Sequence, residues 1–334
     1  RCHGPGSFHV ADKLKGHLTD TSKTPDYTIV NPRKLPMDAQ NNLCQRCHLQ
    51  GIAVLNDGKT FFDFLPSHEL KQSMQVFMPQ YSGADRNMIM ASHVERMKRS
   101  RCYLESGHMS CITCHNPHIS VQETPLAQYT QACASCHGQR DSCTEFFVVR
   151  MDKQNNCIAC HMVRNGSIDI PHVAVTDHYI RRRPDLQNTS GKPRFKGMTC
   201  YNNNHPDART RARAFLEFYE RYLSSPALLD SAAYYLHKEG VDTSADADAD
   251  LIRVLFLRED WKRVARLSAS LQHATMKDAW TAYRIGESLV KNHEVTRGIL
   301  FLQQAVSIKP LALDFQNKLG LAYIEQNEWE KAKL

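Results

Sequence analysis

The sequence predicts a mainly α-helical chain with much irregular loop, in two unlike parts. Three observations predict it. The pentapeptide C-x-x-C-H occurs four times in the front part. Over residues 1–206 apolar periodicity is broken into short pieces among Asn, Pro, Gly, His and Thr, and from Pro206 the spacing turns helical and then repeats every 34 residues.

The front part is organised around Cys111-Ile112-Thr113-Cys114-His115-Asn116-Pro117-His118. In C-x-x-C-H two thiols add to the vinyl groups of a haem and the adjacent histidine becomes the proximal iron ligand. One copy would also suit half of a zinc site. The motif recurs at Cys44, Cys47 and His48, at Cys133, Cys136 and His137, and at Cys157, Cys160 and His161, and each time His follows the second Cys directly. That regularity favours covalent haem. Arg1-Cys2-His3 reads as the back half of a fifth copy, so the chain is expected to be a fragment carrying about five haem c groups, with His3, His48, His115, His137 and His161 proximal.

Haem attachment places the chain in the bacterial periplasm or outside the cell. No apolar run is long enough for a transmembrane segment. The formal charge of +7 is read as an offset to haem propionates rather than as a nucleic-acid surface. Arg99-Ser100-Arg101 and Arg181-Arg182-Arg183 are either a solvated face or propionate partners. Cys102, Cys143 and Cys200 stand outside the motifs, and two of them are candidates for a disulfide, Cys102 with Cys143 first.

The sixth iron ligands are sought among the remaining histidines. His118 leads, because Pro117 holds the backbone extended and turns it away from its own iron toward the next haem. His9 follows a Gly-Pro-Gly turn, and His172 and His178 flank Asp177, which can orient an imidazole from behind. His93, on an expected helix from Met90 to Met97, and His17 complete the distal candidates. His68, His108 and His205 are read as solvent or propionate contacts, and His237, His273 and His293 as surface residues. Met162 follows its haem histidine too closely to cap that iron, and Met88, Met90 and Met97 fit helix packing better.

Residues 207–250 read as a helical connector whose acidic stretch up to Asp250 lacks the glycine and closing Glu of a calcium loop. Over residues 251–334 Gly286 and Gly320 lie one period apart, and Trp261, Val295 and Trp329 keep the same step, with Ala305 and Pro310 between them. This spacing resembles tetratricopeptide repeats, with a degenerate first copy and an incomplete last one. Such helix pairs bury their apolar faces only by stacking.

Cys-His-Gly-Pro-Gly at 2–6, Cys-His-Asn-Pro-His at 114–118, and Cys-His-Met at 160–162 followed by Thr176-Asp177-His178 together resemble the multihaem c-type cytochromes related to cytochrome c554, in the branch with C-terminal tetratricopeptide repeats. The resemblance implies a multihaem cytochrome c domain followed by a helical solenoid, closely packed haems with mostly bis-histidine iron, and extracytoplasmic respiratory electron transfer. Cys200-Tyr201-Asn202-Asn203-Asn204-His205 stands where such proteins can carry another haem motif, here without its second cysteine. An electron carrier rather than a catalyst is expected, with redox proteins as partners and homo-oligomers or a conductive filament as assemblies. Two rival readings stand beside it: an oxidoreductase with one open-site haem acting on a small nitrogen or sulfur compound, and a repeat-domain adaptor that docks a redox partner.

Overall fold

The computed structural model describes residues 2–49, 51–82, 92–138, 143–166, 170, 172–183, 194–241 and 247–333. The chain divides into two compact units, Arg1–Asn204 and His205–Leu334.

The described residues of the front unit form eight α-helices: α1 (Ser7–Leu14), α2 (Met37–His48), α3 (His93–Lys98), α4 (Arg101–Ser106), α5 (Cys111–Cys114), α6 (Leu126–His137), α7 (Phe147–Asp152) and α8 (Cys157–His161). Five strands accompany them: β1 (Ile52–Leu55), β2 (Met74–Tyr81), β3 (Arg164–Gly166), β4 (Ala174–Thr176) and β5 (Phe195–Cys200). A conventional apolar core is not expected here from the sequence, yet the unit contains one. β1, β2 and β5 form an antiparallel sheet in that order, with Ile52 opposite Phe77 and Phe77 opposite Cys200. Leu49, Phe64, Leu70, Met74, Val76 and Met78 pack into a buried cluster on it. The run Met74 to Met78 is buried at every position, so it lacks the alternation that marks a half-exposed strand.

Two local features fix this sheet. Pro79 lies beyond the stretch of β2 paired with β1, where a strand tolerates a missing N–H. At Gly51 an added Cβ would stand 2.6 Å from the Phe77 carbonyl, so only glycine lets the chain enter β1 there. The segment that resembles a lost haem motif also has a structural role. Cys200 is buried at the end of β5, and Asn202 extends the ladder with its side chain, accepting from the Val76 N–H at 2.9 Å and donating to the Met74 carbonyl at 2.9 Å.

The back unit is helical throughout its described residues: α9 (Ala208–Arg221), α10 (Pro226–Lys238), α11 (Ala249–Leu257), α12 (Trp261–Leu267), α13 (Ala279–Lys291), α14 (Val295–Ile308) and α15 (Leu313–Glu325). Asp207, Asp248, Asp260 and Asp278 cap α9, α11, α12 and α13, each accepting from a backbone N–H of the first turn. The helices read as a connector share a core with the repeat region, for Leu216, Leu229 and Leu236 cluster with Leu251, Val264, Ile285 and Phe301. Asp248 and Asp250 begin α11 and bind Arg209 at 2.6 and 3.2 Å, while residues 242–246 lie outside the described residues.

The 34-residue step is visible in the backbone. α12 and α14 start 34 residues apart, as do α13 and α15. Glu259, His293 and Asn327 take left-handed conformations at the same interval, with φ of 59°, 65° and 59°. α13 and α14 cross closely because both carry glycine at the crossing: a Cβ on Gly286 would meet Leu302 Cγ at 2.8 Å and the Gly298 carbonyl at 2.9 Å. Gly286→Val therefore forces the helices apart and is expected to destabilise the chain by about 1–3 kcal/mol. Thermal unfolding followed by far-ultraviolet circular dichroism checks this, and an unchanged or raised midpoint would contradict the packing described.

Candidate haem cavity

Each complete motif sits on a helix, which sets its two thiols about one turn apart on one side. Cys44, Cys47 and His48 close α2, and Cys133, Cys136 and His137 close α6, whereas α5 and α8 consist almost wholly of the motif. Such short helices need caps. Ser110 and Thr113 form a reciprocal capping box on α5, with the Ser110 N–H donating to Thr113 Oγ1 at 3.0 Å. On α8 the Asn156 side chain accepts from the Ala159 N–H at 3.2 Å.

The motifs neighbour one another in chain order, for α2 packs on α5, α5 on α6 and α6 on α8. Their first thiols meet in two pairs, Cys44 with Cys111 and Cys133 with Cys157. The contact with Cys44, and then burial, push the Cys111 thiol up; burial, and then Cys157, push Cys133 up to about 12. Burial likewise raises Cys114. The contact with Cys111 in turn lowers Cys44. Among the described residues no three His, Cys, Asp or Glu side chains converge as ligands of one ion.

What the motifs enclose is a cavity of about 3270 Å³. All nine motif cysteines and all five motif histidines line it, together with His93, His108, His118 and His178. A pocket for one drug-sized ligand is roughly 300–1,000 Å³, so this space suits several large flat groups whose anchoring thiols already face it. The residues fit covalent haem.

The histidine rings are oriented from behind. His3 Nδ1 bonds to the Val30 carbonyl at 2.8 Å, His161 Nδ1 to the Arg181 carbonyl at 2.9 Å, and His178 Nδ1 to the Thr176 carbonyl at 3.0 Å. An N–H given to a carbonyl through Nδ1 leaves the Nε2 lone pair for a metal. Burial, and then the neighbouring His93, lower His178 to about 4, and burial also lowers His93 and His115, so these rings stay in the neutral form that coordinates. The ring centres of His3 and His118 stand 6.1 Å apart at 14°, and those of His115 and His178 stand 6.2 Å apart at 26°. His93 stacks on His178 at 4.4 Å, and Tyr129 meets His115 edge-on at 5.4 Å.

Other expected ligands are placed elsewhere. His9, His17 and His172 do not line the cavity. His9 bonds Thr28 Oγ1 at 2.7 Å, His17 bonds Asp12 at 2.9 Å, and His172 is an exposed left-handed residue with φ of 63°. Asp177 does not reach an imidazole; it is taken by Arg96, at 2.8 and 2.6 Å. Cys102 and Cys143 line the cavity as separate thiols, so the Cys102–Cys143 bridge is not formed, and Cys200 is buried in the sheet. Met97 and Met162 are on the wall as well, whereas Met88 and Met90 lie outside the described residues. The orienting carbonyls of Val30, Thr176 and Arg181 escape sequence reading because a carbonyl leaves no residue-type signal, and nothing in the sequence around Arg96 marks it as a partner of Asp177.

Residues 105–142 match the family described as Doubled CXXCH motif. The match spans the copies at Cys111–His115 and Cys133–His137 and supports a multihaem c-type cytochrome with covalently bound haem c. Among curated proteins none matches the chain. No helix of the described residues is long and apolar enough to cross a membrane.

Replacing both thiols of one copy, Cys111→Ser with Cys114→Ser, is expected to remove one haem per chain and leave the others attached. Pyridine haemochrome absorbance against protein mass checks it; an unchanged ratio would contradict the attachment.

Proposed function

We propose that this chain is an electron carrier, a multihaem c-type cytochrome that holds about five haems, most of them between two histidines, in extracytoplasmic respiration. The spacing of two ring pairs carries the reading. Imidazoles on opposite sides of one iron, at about 2 Å per metal–nitrogen bond and about 1 Å from ring atom to ring centre, stand roughly 6 Å apart. His3 with His118 and His115 with His178 have that spacing, 6.1 and 6.2 Å. On this reading His118 serves the truncated first motif and His178 serves the iron of His115.

Haem held by the motif cysteines and by paired histidines would supply one-electron chemistry. The chain supplies the setting. Neutral, partly buried imidazoles wait with Nε2 free, and Arg33, Arg99, Arg101, Arg181, Arg182 and Arg183 face the cavity, where they can neutralise propionates. That use accounts for the +7 balance without nucleic acid.

The back unit is read as a tetratricopeptide-type solenoid, supported by the 34-residue recurrence of helix starts and of left-handed Glu259, His293 and Asn327. It gives a carrier a surface for a redox partner or for a second copy, and repeated self-contact would extend to a filament. The relation to cytochrome c554 rests on the motif combination at 2–6, 114–118 and 160–178. Periplasm or cell exterior is the compartment where haem c is attached.

His118→Ala should convert one haem per chain to high spin and let that haem bind carbon monoxide, read in the optical spectrum. At that haem the unaltered protein should bind none. Carbon monoxide bound by the unaltered protein would favour the open-site oxidoreductase, and a wholly low-spin variant would remove His118 from the iron.

A further inference from the structure

Arg96 and Asp177 form a bidentate ion pair that is almost wholly out of solvent, 2% and 0% exposed. Asp177 also accepts from the Tyr179 N–H at 2.9 Å, Asn165 Nδ2 at 3.3 Å and Arg181 Nη2 at 3.4 Å. The Arg96 guanidinium lies 5.4 Å from the Tyr179 ring centre. A buried pair of this kind adds little to stability compared with apolar residues of the same volume, because desolvation offsets the attraction. Its value is in what it positions.

Arg96 lies on α3 one turn after His93, and Asp177 directly precedes His178. The pair thus pins the helix that bears one cavity histidine to the strand end that bears another. Ser100 reinforces the joint, accepting from the Ile180 N–H at 2.8 Å and donating to the His178 carbonyl at 3.2 Å. Held this way, the His93 and His178 rings lie face to face at 4.4 Å and 14°. That is too close for both to cap one iron, which needs roughly 6 Å between ring centres. His178 already stands opposite His115, and the antiparallel bridge between Leu49 and Ser92 joins the start of α3 to the end of α2, which sets His93 beside His48.

We propose that Arg96 and Asp177 are positioning residues that present His93 and His178, ring on ring, as axial ligands of two different haems, those anchored at Cys44–His48 and Cys111–His115. The ligand shells of the two haems then touch. The inference rests on the bis-histidine reading above and adds to it a partner for His48 and a device that sets two ligands at once.

The test uses the haem-loaded chain and reads spin state by electron paramagnetic resonance. His93→Ala and His178→Ala should each make one haem high spin, and the double variant two; a double variant that loses only one low-spin haem shows the residues competing for a single iron and overturns the proposal. Arg96→Met with Asp177→Asn removes both charges of the buried pair, leaves only the part-exposed Arg181 without its carboxylate, and should keep the haem count. It should lose the low-spin signal of two haems, with added imidazole restoring it, while Asp177→Glu alone retains most of the signal. A charge-free variant with an unchanged spectrum and only a lower unfolding temperature makes the pair merely structural and overturns the proposal. If the unaltered protein itself lacks low-spin bis-imidazole signals, the ligation reading fails first, and with it this one.

Discussion

The front unit depends on one constraint: pairs of thiols, each pair fixed by a single helical turn, face the same cavity from four helices. Everything around them serves that convergence. Two of the helices, α5 and α8, are short because a motif needs only one turn, and such helices hold only when capped from the side, as Ser110, Thr113 and Asn156 do. The contacts from α2 to α5 to α6 to α8 then bring the thiols of successive copies together, so closely that Cys44 meets Cys111 and Cys133 meets Cys157.

Around that cavity the unit relies on two different supports. On one side a small antiparallel sheet with a buried methionine- and valine-rich strand provides ordinary apolar packing. On the other, directional polar contacts set the histidine rings: carbonyls of Val30, Thr176 and Arg181 behind His3, His178 and His161. Apolar packing fixes where α2 and its neighbours lie, and hydrogen bonds fix how each ring turns. Electron exchange between close carriers requires both, since ring orientation decides which iron a histidine serves.

The sequence made the attachment residues legible because covalent chemistry demands a fixed spacing of named residue types. The 34-residue step was legible for a similar reason: a stacked helical pair repeats the same left-handed turn, and Glu259, His293 and Asn327 fall on it. The sheet was not, because β2 pairs with β5 across more than a hundred residues and its buried run shows no alternation. Ligand choice was legible only in part. Pro117 pointed His118 toward the next haem, whereas its ring lies beside His3, and the Gly-Pro-Gly turn before His9 does not reveal that Thr28 takes its Nδ1. Such assignments depend on tertiary placement, which no local spacing encodes.

The most direct test of the central claim is an experimental structure of the haem-loaded protein that resolves the axial ligands. The account predicts an iron midway between His3 and His118 and another midway between His115 and His178, each porphyrin thioether-linked to its own cysteines. Either pair of rings without an iron between them, or motif cysteines gathered around zinc, would contradict it.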